Sequence, residues 1–325
     1  MLNIQSLNIP GNIFLAPVSG WTDSVFRGIC AEWGAACTFT ELVSGESIVR
    51  NLSRAEPLLQ RSPLETCCGI QLFGSDPQVL YRAASLLARF RPDFIDINAG
   101  CPVQKVIKTG AGSVLMRNPA LLGSIVEGVR RACEEFLHGI PVTVKIRSGW
   151  DDSRLNYVEC ARAAVESGAA MVTLHPRTRA QAYTGTSNWD HIADLVSRIP
   201  VPVTGSGDLF SPEDAQEMFE KTKCAALMFA RGALGNPFIF SATQALLNSE
   251  PFTPVEDAKK IETGIKQLEE LSKIKGESLA CREMRKQFCA YTKGMPGSAE
   301  IRGKIVHAET IAEYRDIFKH YPSPR

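Results

Sequence analysis

Phe94-Ile95-Asp96-Ile97-Asn98-Ala99-Gly100-Cys101-Pro102 begins as a short apolar strand and stops on a turn of small residues that carries one cysteine. Phe94 and Ile97 suit a strand covered on both faces, as in a parallel sheet. Ala99-Gly100 and Pro102 then force a sharp exit from it. Cys101 is thereby placed at the carboxyl end of a strand, the edge where α/β folds gather their chemistry. A thiol held there can act as an acid. Most of the ten cysteines are expected to be small buried hydrophobes, so the surroundings must distinguish this one.

Seven further short runs, β-branched or apolar, resemble residues 94–97: 13–16, 37–40, 69–73, 142–146, 171–174, 201–204 and 226–229. Helical patterns lie between them over 77–89, 119–137, 155–166, 189–197 and 212–220, several opened by Asp, Asn or Ser followed by Pro. Strand, helix and strand in alternation predict a parallel sheet with crossover helices. Eight such units close into a TIM-type (β/α)8 barrel, whereas an open doubly wound sheet usually has fewer strands and a glycine-rich first turn. Within the second unit, residues 41–61 read partly as loop.

The polar, proline-punctuated stretch 248–254 breaks this alternation, and the pattern beyond it is wholly helical. Amphipathic helices are predicted over 257–275 and 279–293, a turn at 294–297, and one or two helices over 298–318. The expected organisation is a barrel domain over 1–247 and a small α-helical bundle over 255–325.

Composition sets outer limits. The chain has 325 residues, which accommodates one barrel of about 250 residues and an appendage. It has no apolar run long enough to cross a bilayer and no basic-then-apolar start typical of a secretory signal. The protein is therefore expected in the cytosol, off the membrane, and it is expected to be a monomer. Its cysteines show no Cys-x-x-Cys pair and no histidine set nearby, so reduced thiols are expected, with neither a zinc site nor a disulfide framework. A net charge of +1 means that any polyanion must be met by a local patch.

A barrel would bring the residues just past each strand to one mouth: Ala16-Pro17, Glu41, Gln71, Asn98 with Cys101, Lys145, His175, Ser206 and Arg231. Stability alone does not call for such a ring at the carboxyl mouth. The last two loops, Gly205-Ser206-Gly207-Asp208 and Ala230-Arg231-Gly232, resemble the phosphate cradle that barrels often build there. Glycine lets the backbone approach an anion, and the guanidinium fork binds two of its oxygens. With Lys145 and Gln71 placed to hydrogen-bond a ring, a flavin mononucleotide (FMN) is the expected cofactor. No metal is expected, since the mouth lacks clustered carboxylates and histidines.

These residues, in this order, resemble the tRNA-dihydrouridine synthases, FMN-dependent barrel enzymes with a helical carboxyl-terminal domain. The similarity runs nearly end to end. It is carried by Leu15-Ala16-Pro17, Trp21-Thr22-Asp23, the Asn98 to Pro102 signature, Val144-Lys145-Ile146-Arg147 and Leu174-His175. It continues through Arg177-Thr178-Arg179, Gly207-Asp208, Arg231-Gly232-Ala233 and Lys293-Gly294-Met295-Pro296-Gly297. The resemblance implies FMN contacts from Ala16, Pro17, Val18, Gln71, Lys145, His175, Ser206, Gly207, Asp208, Ala230 and Arg231. It also implies NADPH, or NADH, as a transient electron donor, and tRNA as substrate. Cys101 falls on the catalytic acid, which protonates carbon 5 of a uridine after hydride has reached carbon 6. A thiol near its ordinary pKa of about 8.5 is protonated at neutral pH, as that role requires. Ser206, Pro176 and Ala230 depart from the residues often found at these positions, Asn, Gly and Gly.

Positive charge and aromatic faces cluster around the mouth in Lys105, Lys108, Arg147, Trp150, Arg177, Arg179 and Tyr183. Residues 279–304 carry six basic residues, Arg285 and Lys286 among them, against two acidic ones. Asn98, Lys105, Arg147, Arg177, Arg179, Tyr183, Arg285 and Lys286 are the expected substrate contacts. A barrel reductase acting on a small molecule such as a free pyrimidine would not need the basic bundle. An idle RNA-binding factor would not need a placed acid.

Overall fold

The computed structural model of the protein describes residues 1–319. Its strands are β1 (Leu2–Ile4), β2 (Leu7–Ile9), β3 (Ile13–Leu15), β4 (Thr38–Phe39), β5 (Val43–Ser44), β6 (Cys68–Phe73), β7 (Phe94–Ala99), β8 (Val142–Gly149), β9 (Met171–Thr178), β10 (Val203–Ser206) and β11 (Ala226–Phe229). From β3 the hydrogen-bonded order is β11, β10, β9, β8, β7, β6, β4, every neighbour parallel. A bridge between Phe14 and Cys37 joins the two ends. Leu15 N–H donates to the Cys37 carbonyl and Ala36 N–H to that of Ile13, each at 2.9 Å. The ring is the expected eight-stranded barrel.

Three of its helices start where the sequence places a polar cap before proline. Asp76, Asn118 and Ser211 each accept backbone N–H groups of the turn they open, and the following proline, having no N–H, leaves no donor stranded. The crossover helices bury Leu80, Ala83, Leu122, Val126, Cys160 and Leu195 against the outer faces of the strands. By area, each large apolar side chain there contributes about 1.5–3 kcal/mol.

The second unit is irregular for a visible reason. β4 pairs with Cys68 and Gly69, the chain leaves the sheet over 40–42, and β5 returns to pair with Leu72 and Phe73. Helices Gly45–Arg50 and Leu52–Leu59 follow where a partial loop was expected. The antiparallel β1–β2 hairpin, absent from the sequence reading, packs Ile4 and Ile9 on Phe14, Phe39, Phe94 and Met228 at the amino-terminal ends of the strands.

Beyond the break, helices Asp257–Lys275, Glu277–Tyr291, Ser298–Ile305 and Ile311–Lys319 enclose a second core of Leu268, Leu271, Met284, Phe288, Ile305 and Tyr314. Gly264 makes this packing possible, because a Cβ there would lie 2.7 Å from the Phe288 ring. The expected bundle range, 255–325, ends in six residues (320–325) outside those described. Val25 of the barrel joins the bundle core, Lys266 pairs with Glu32 at 2.7 Å, and Gln287 Nε2 donates to the Trp21 carbonyl at 3.2 Å. No described helix is long and apolar enough to cross a membrane.

Candidate active site at the barrel mouth

A cavity of about 610 Å³ opens at the carboxyl ends of the barrel strands. Its wall includes Ala16, Pro17 and Val18 after β3, Asn98 and Cys101 from β7 and its turn, and Lys145 and Arg147 on β8. His175 on β9, Ser206, Gly207 and Asp208 from β10 and its loop, and Ala230 and Arg231 after β11 complete it. β8 and β9 run past their predicted ends, to Gly149 and Thr178, so Arg147 and His175, like Lys145, are strand residues with fixed backbones.

The cysteine turn is pinned on three sides. Asn98 Oδ1 accepts the N–H groups of Gly100, at 3.2 Å, and Cys101, at 2.9 Å. Arg147 Nε donates to the Gly100 carbonyl at 2.8 Å, and Ser113 N–H to the Cys101 carbonyl at 3.1 Å. Gly112, at φ +64°, lets the chain pass close, since a Cβ would meet that same carbonyl at 2.7 Å. Burial raises the pKa of the Cys101 thiol by more than the Val103 N–H, Arg147 and Lys145 lower it. The thiol is therefore protonated at neutral pH.

Across the cavity lies a set of nitrogens. Burial, then repulsion from Arg147, brings Lys145 down to about 8 despite Asp96 nearby. Among the described residues no hydrogen bond or ion pair holds its Nζ. Burial and the charges of Lys145, Arg147, Arg177 and Arg231 hold the His175 imidazole well below its usual value, hence neutral, and its Nε2 is buried with no partner. Gly207, at φ +107°, could not be replaced freely, because a Cβ would lie 2.5 Å from Ser187 Oγ and 2.9 Å from His175 Nδ1. Pro17, Val18, Met228 and Leu234 add apolar wall. Such a site suits a flat, hydrogen-bonding ring with an anionic tail.

Several expected contacts have other employment. Gln71 is fully buried beneath the wall, where its Nε2 donates to Asp96 at 2.7 Å and its Oε1 accepts from Asn98 at 2.8 Å. Arg177 is 2 % exposed and spends four of its five N–H groups on the Thr184 and Gly185 carbonyls, Ser187 Oγ and Asp208. It is a brace for the loop over 178–187 and does not reach the cavity wall. Asp208 is a counter-ion, binding Arg177 at 2.7 Å and Arg231 at 3.0 Å. Burial would raise its carboxyl, but the Ser187 N–H and Arg177 outweigh that and lower it. Arg147 spends its Nη1 on the Thr178 and Ala182 carbonyls, at 3.0 and 2.8 Å. Ser206 Oγ donates to the Met228 carbonyl at 3.2 Å, so the serine that departs from the family pattern turns part of its polarity away from the cavity.

Of the remaining candidates, Tyr183 lines the cavity and the others lie outside its wall. Tyr183, 55 % exposed, lies between Arg147 and Arg231, whose guanidinium carbons stand 5.5 and 5.7 Å from its ring. Arg179 and Arg117 stack on Trp150 at 4.6 and 5.0 Å. Lys105 is exposed on the short helix Gln104–Ile107 beyond the cysteine turn. Lys286 reaches from the bundle to Trp21 in the cavity wall, 5.3 Å from its ring. Arg285, by contrast, ties its helix Glu277–Tyr291 to the loop between Ser298–Ile305 and Ile311–Lys319 through the Ala308 carbonyl at 3.1 Å. The sequence reading missed Trp21 and Phe210 as wall residues; both are aromatic residues in loops after strands, which was the available signal.

The family model described as Dihydrouridine synthase (Dus) matches residues 14–320. A "Probable tRNA-dihydrouridine synthase" of Treponema pallidum is 47 % identical over 98 % of this chain and 95 % of its own length. A "tRNA-dihydrouridine synthase B" of Shewanella oneidensis is 32 % identical over 98 % of each chain. Among solved structures, histamine dehydrogenase from Rhizobium sp. 4-9 superposes over 88 % of this chain, with TM-score 0.55 and 13 % identity. For 6-hydroxypseudooxynicotine amine oxidase from Pseudomonas geniculata the overlap is 76 %, with TM-score 0.59 and 15 % identity. This chain spans about half the length of each, 50 % and 49 %, and the likeness is one of fold. The match to the family model over nearly the whole chain, with the Treponema relative at 47 % identity, shows that this chain belongs to the dihydrouridine synthase family.

Proposed function

We propose that this protein is a tRNA-dihydrouridine synthase, reducing the 5,6 double bond of uridines in tRNA with FMN in the barrel mouth and NADPH, or NADH, as electron donor. The observation that carries the reading is a protonated, turn-held Cys101 sharing one cavity with Lys145, His175 and Arg231. The orphaned His175 Nε2 and unpaired Lys145 Nζ fit the polar edge of a flavin ring. Gly207, Ala230 and Arg231 fit its phosphate, and Ala16, Pro17 and Val18 its apolar face. When bound, reduced FMN supplies the hydride that saturates carbon 6 of the uridine.

Cys101 gives its proton to carbon 5 and takes one back from solvent. Asn98 has one Nδ2 hydrogen left to offer the bound ring, while Tyr183 and Trp21 flank the opening as stacking faces for an unstacked base. Lys105, Arg179 and Lys286 in this reading meet phosphates of the tRNA backbone. In this reading residues 1–247 do the chemistry and 255–325 hold tRNA, in a cytosolic monomer. Cys101→Ala should keep bound FMN, tRNA affinity and flavin reduction by NADPH but lose dihydrouridine formation by at least about 100-fold, the lower range for one general acid. Unchanged turnover in that variant would sink the assignment of the acid.

A further inference from the structure

Beneath the cysteine turn, three buried side chains on β6 and β7 form a continuous line. Asp96, which has no exposed surface, accepts from Thr143 Oγ1 at 2.5 Å and from Gln71 Nε2 at 2.7 Å. Gln71 Oε1 in turn accepts from Asn98 Nδ2 at 2.8 Å. Asn98 Oδ1 then receives the backbone N–H groups of Gly100 and Cys101.

A buried carboxylate is a costly way to end such a line, since a neutral acceptor would be cheaper to desolvate. What it supplies is direction. The oxygen and nitrogen of an Asn or Gln amide are nearly equal in size, so either side chain can sit reversed. An ionised carboxylate only accepts. It therefore obliges Gln71 to present Nε2 downward and Oε1 to Asn98, and obliges Asn98 to present Oδ1 to the turn. At the far end the two backbone N–H groups only donate, which demands the same orientation. Both ends of the line agree.

We infer that Asp96 is a positioning residue for Cys101, fixing through Gln71 and Asn98 the orientation of two amides and so the turn that holds the thiol at the cavity. Its link to catalysis rests on Cys101 being the proton donor proposed above. Gln71 thereby has a role that does not depend on touching a cofactor.

The test is a double-mutant cycle in the FMN-loaded protein. Gln71→Glu sets two carboxylates face to face, and Asp96→Asn removes the acceptor-only end. In the double variant the amide introduced at position 96 donates to the carboxylate introduced at position 71, whose other oxygen still accepts from Asn98. Losing a buried hydrogen bond of this kind corresponds to about 10- to 100-fold. Each single variant should lower kcat for dihydrouridine formation by about that much, with the KM for tRNA and flavin reduction by NADPH unchanged within about twofold. Alkylation of Cys101 by iodoacetamide, followed on its own peptide, should rise at least about threefold in each single variant. The double variant should return alkylation to the parent value and kcat to within about fivefold.

Losses that simply multiply in the double variant, or alkylation unmoved in both single variants, would overturn the inference. If the charged variants fail to fold, Gln71→Met breaks the line without burying a new charge and must by itself speed alkylation; failure to do so also overturns it. Thr143→Val, which frees Asp96 on its other side, should leave alkylation within about twofold, and a rise as large as that of Asp96→Asn would reveal only a loosened floor. Alkylation reports the turn even if Cys101→Ala remained active, so failure of the acid assignment and failure of the line are read separately.

Discussion

Replacing Asp208 with asparagine tests the arrangement of charge behind the cavity. Asn tolerates the left-handed backbone found there, φ +56°, so the substitution changes hydrogen bonding and charge with little added strain. The carboxylate accepts from Arg177 Nη2 at 2.9 and 2.7 Å, from Ser187 N–H at 2.8 Å and from Arg231 Nη2 at 3.0 Å. An amide keeps one acceptor oxygen and turns an NH2 toward donors. Arg177 would then be buried with only neutral acceptors. Breaking a buried ion pair costs about 3–5 kcal/mol. Arg177 keeps three neutral partners and Asp208 is 21 % exposed, so the loss falls below that range. The expected loss is about 2–3 kcal/mol, between one charged hydrogen bond and a fully broken pair.

Urea unfolding of the cofactor-free protein at pH 7, comparing midpoints at constant slope, measures this loss. The dependence on pH gives a second check. The folded pKa of Asp208 lies below its ordinary value, so its contribution is present above the unfolded pKa of about 3.9 and is lost as pH falls through the folded value. The gap between parent and variant should be constant from about pH 5 to 8 and close below about pH 4. A loss under about 0.5 kcal/mol, typical of a surface substitution, would refute the clamp, as would a gap unchanged on acidification.

Three further outcomes follow from the same geometry. Lys145 loses its proton near 8, so FMN affinity, read by fluorescence quenching, should be level from pH 7 and fall as pH rises through 8; Lys145→Met should abolish that slope, and a level parent profile to pH 9 would contradict it. Lys286→Glu should weaken tRNA binding and reduce the salt slope by about one, whereas Arg285→Glu should leave the slope alone and destabilise the bundle by about 1–2 kcal/mol; indistinguishable slopes would count against the division between them. Gly207→Ala should cost about 1–3 kcal/mol of stability from its positive φ, together with flavin affinity from the displaced His175 ring, measured by melting and by titration.

The barrel was legible because parallel strands buried on both faces read as continuous apolar runs, and because Asp76-Pro77, Asn118-Pro119 and Ser211-Pro212 announce helix starts locally. The extensions of β8 and β9 were illegible for the complementary reason. Arg147 and His175 interrupt the apolar run while the strand continues, since polar side chains at the mouth end meet the cavity or a carbonyl. The β1–β2 hairpin has too few residues to show a period. Arg147 and Arg177 look alike in sequence and line the cavity or brace a loop, respectively, because residues 178–187 fold back onto them. Gln71 differs from a wall residue only through Asp96 and Asn98 on the neighbouring strand, distant in sequence from any local signal.

The thinnest joint in the barrel lies between β3 and β4, held by one bridge and two hydrogen bonds. The helix Ser24–Glu32 links those two strands, and it is gripped by the bundle through Val25, Glu32 and, just before it, the Trp21 carbonyl. The helices over 257–319 follow all eight barrel strands in the sequence, so during synthesis the joint gains its outer support only after the barrel strands have been made. A chain halted after strand eight would therefore carry the barrel with this joint lacking the bundle's grip.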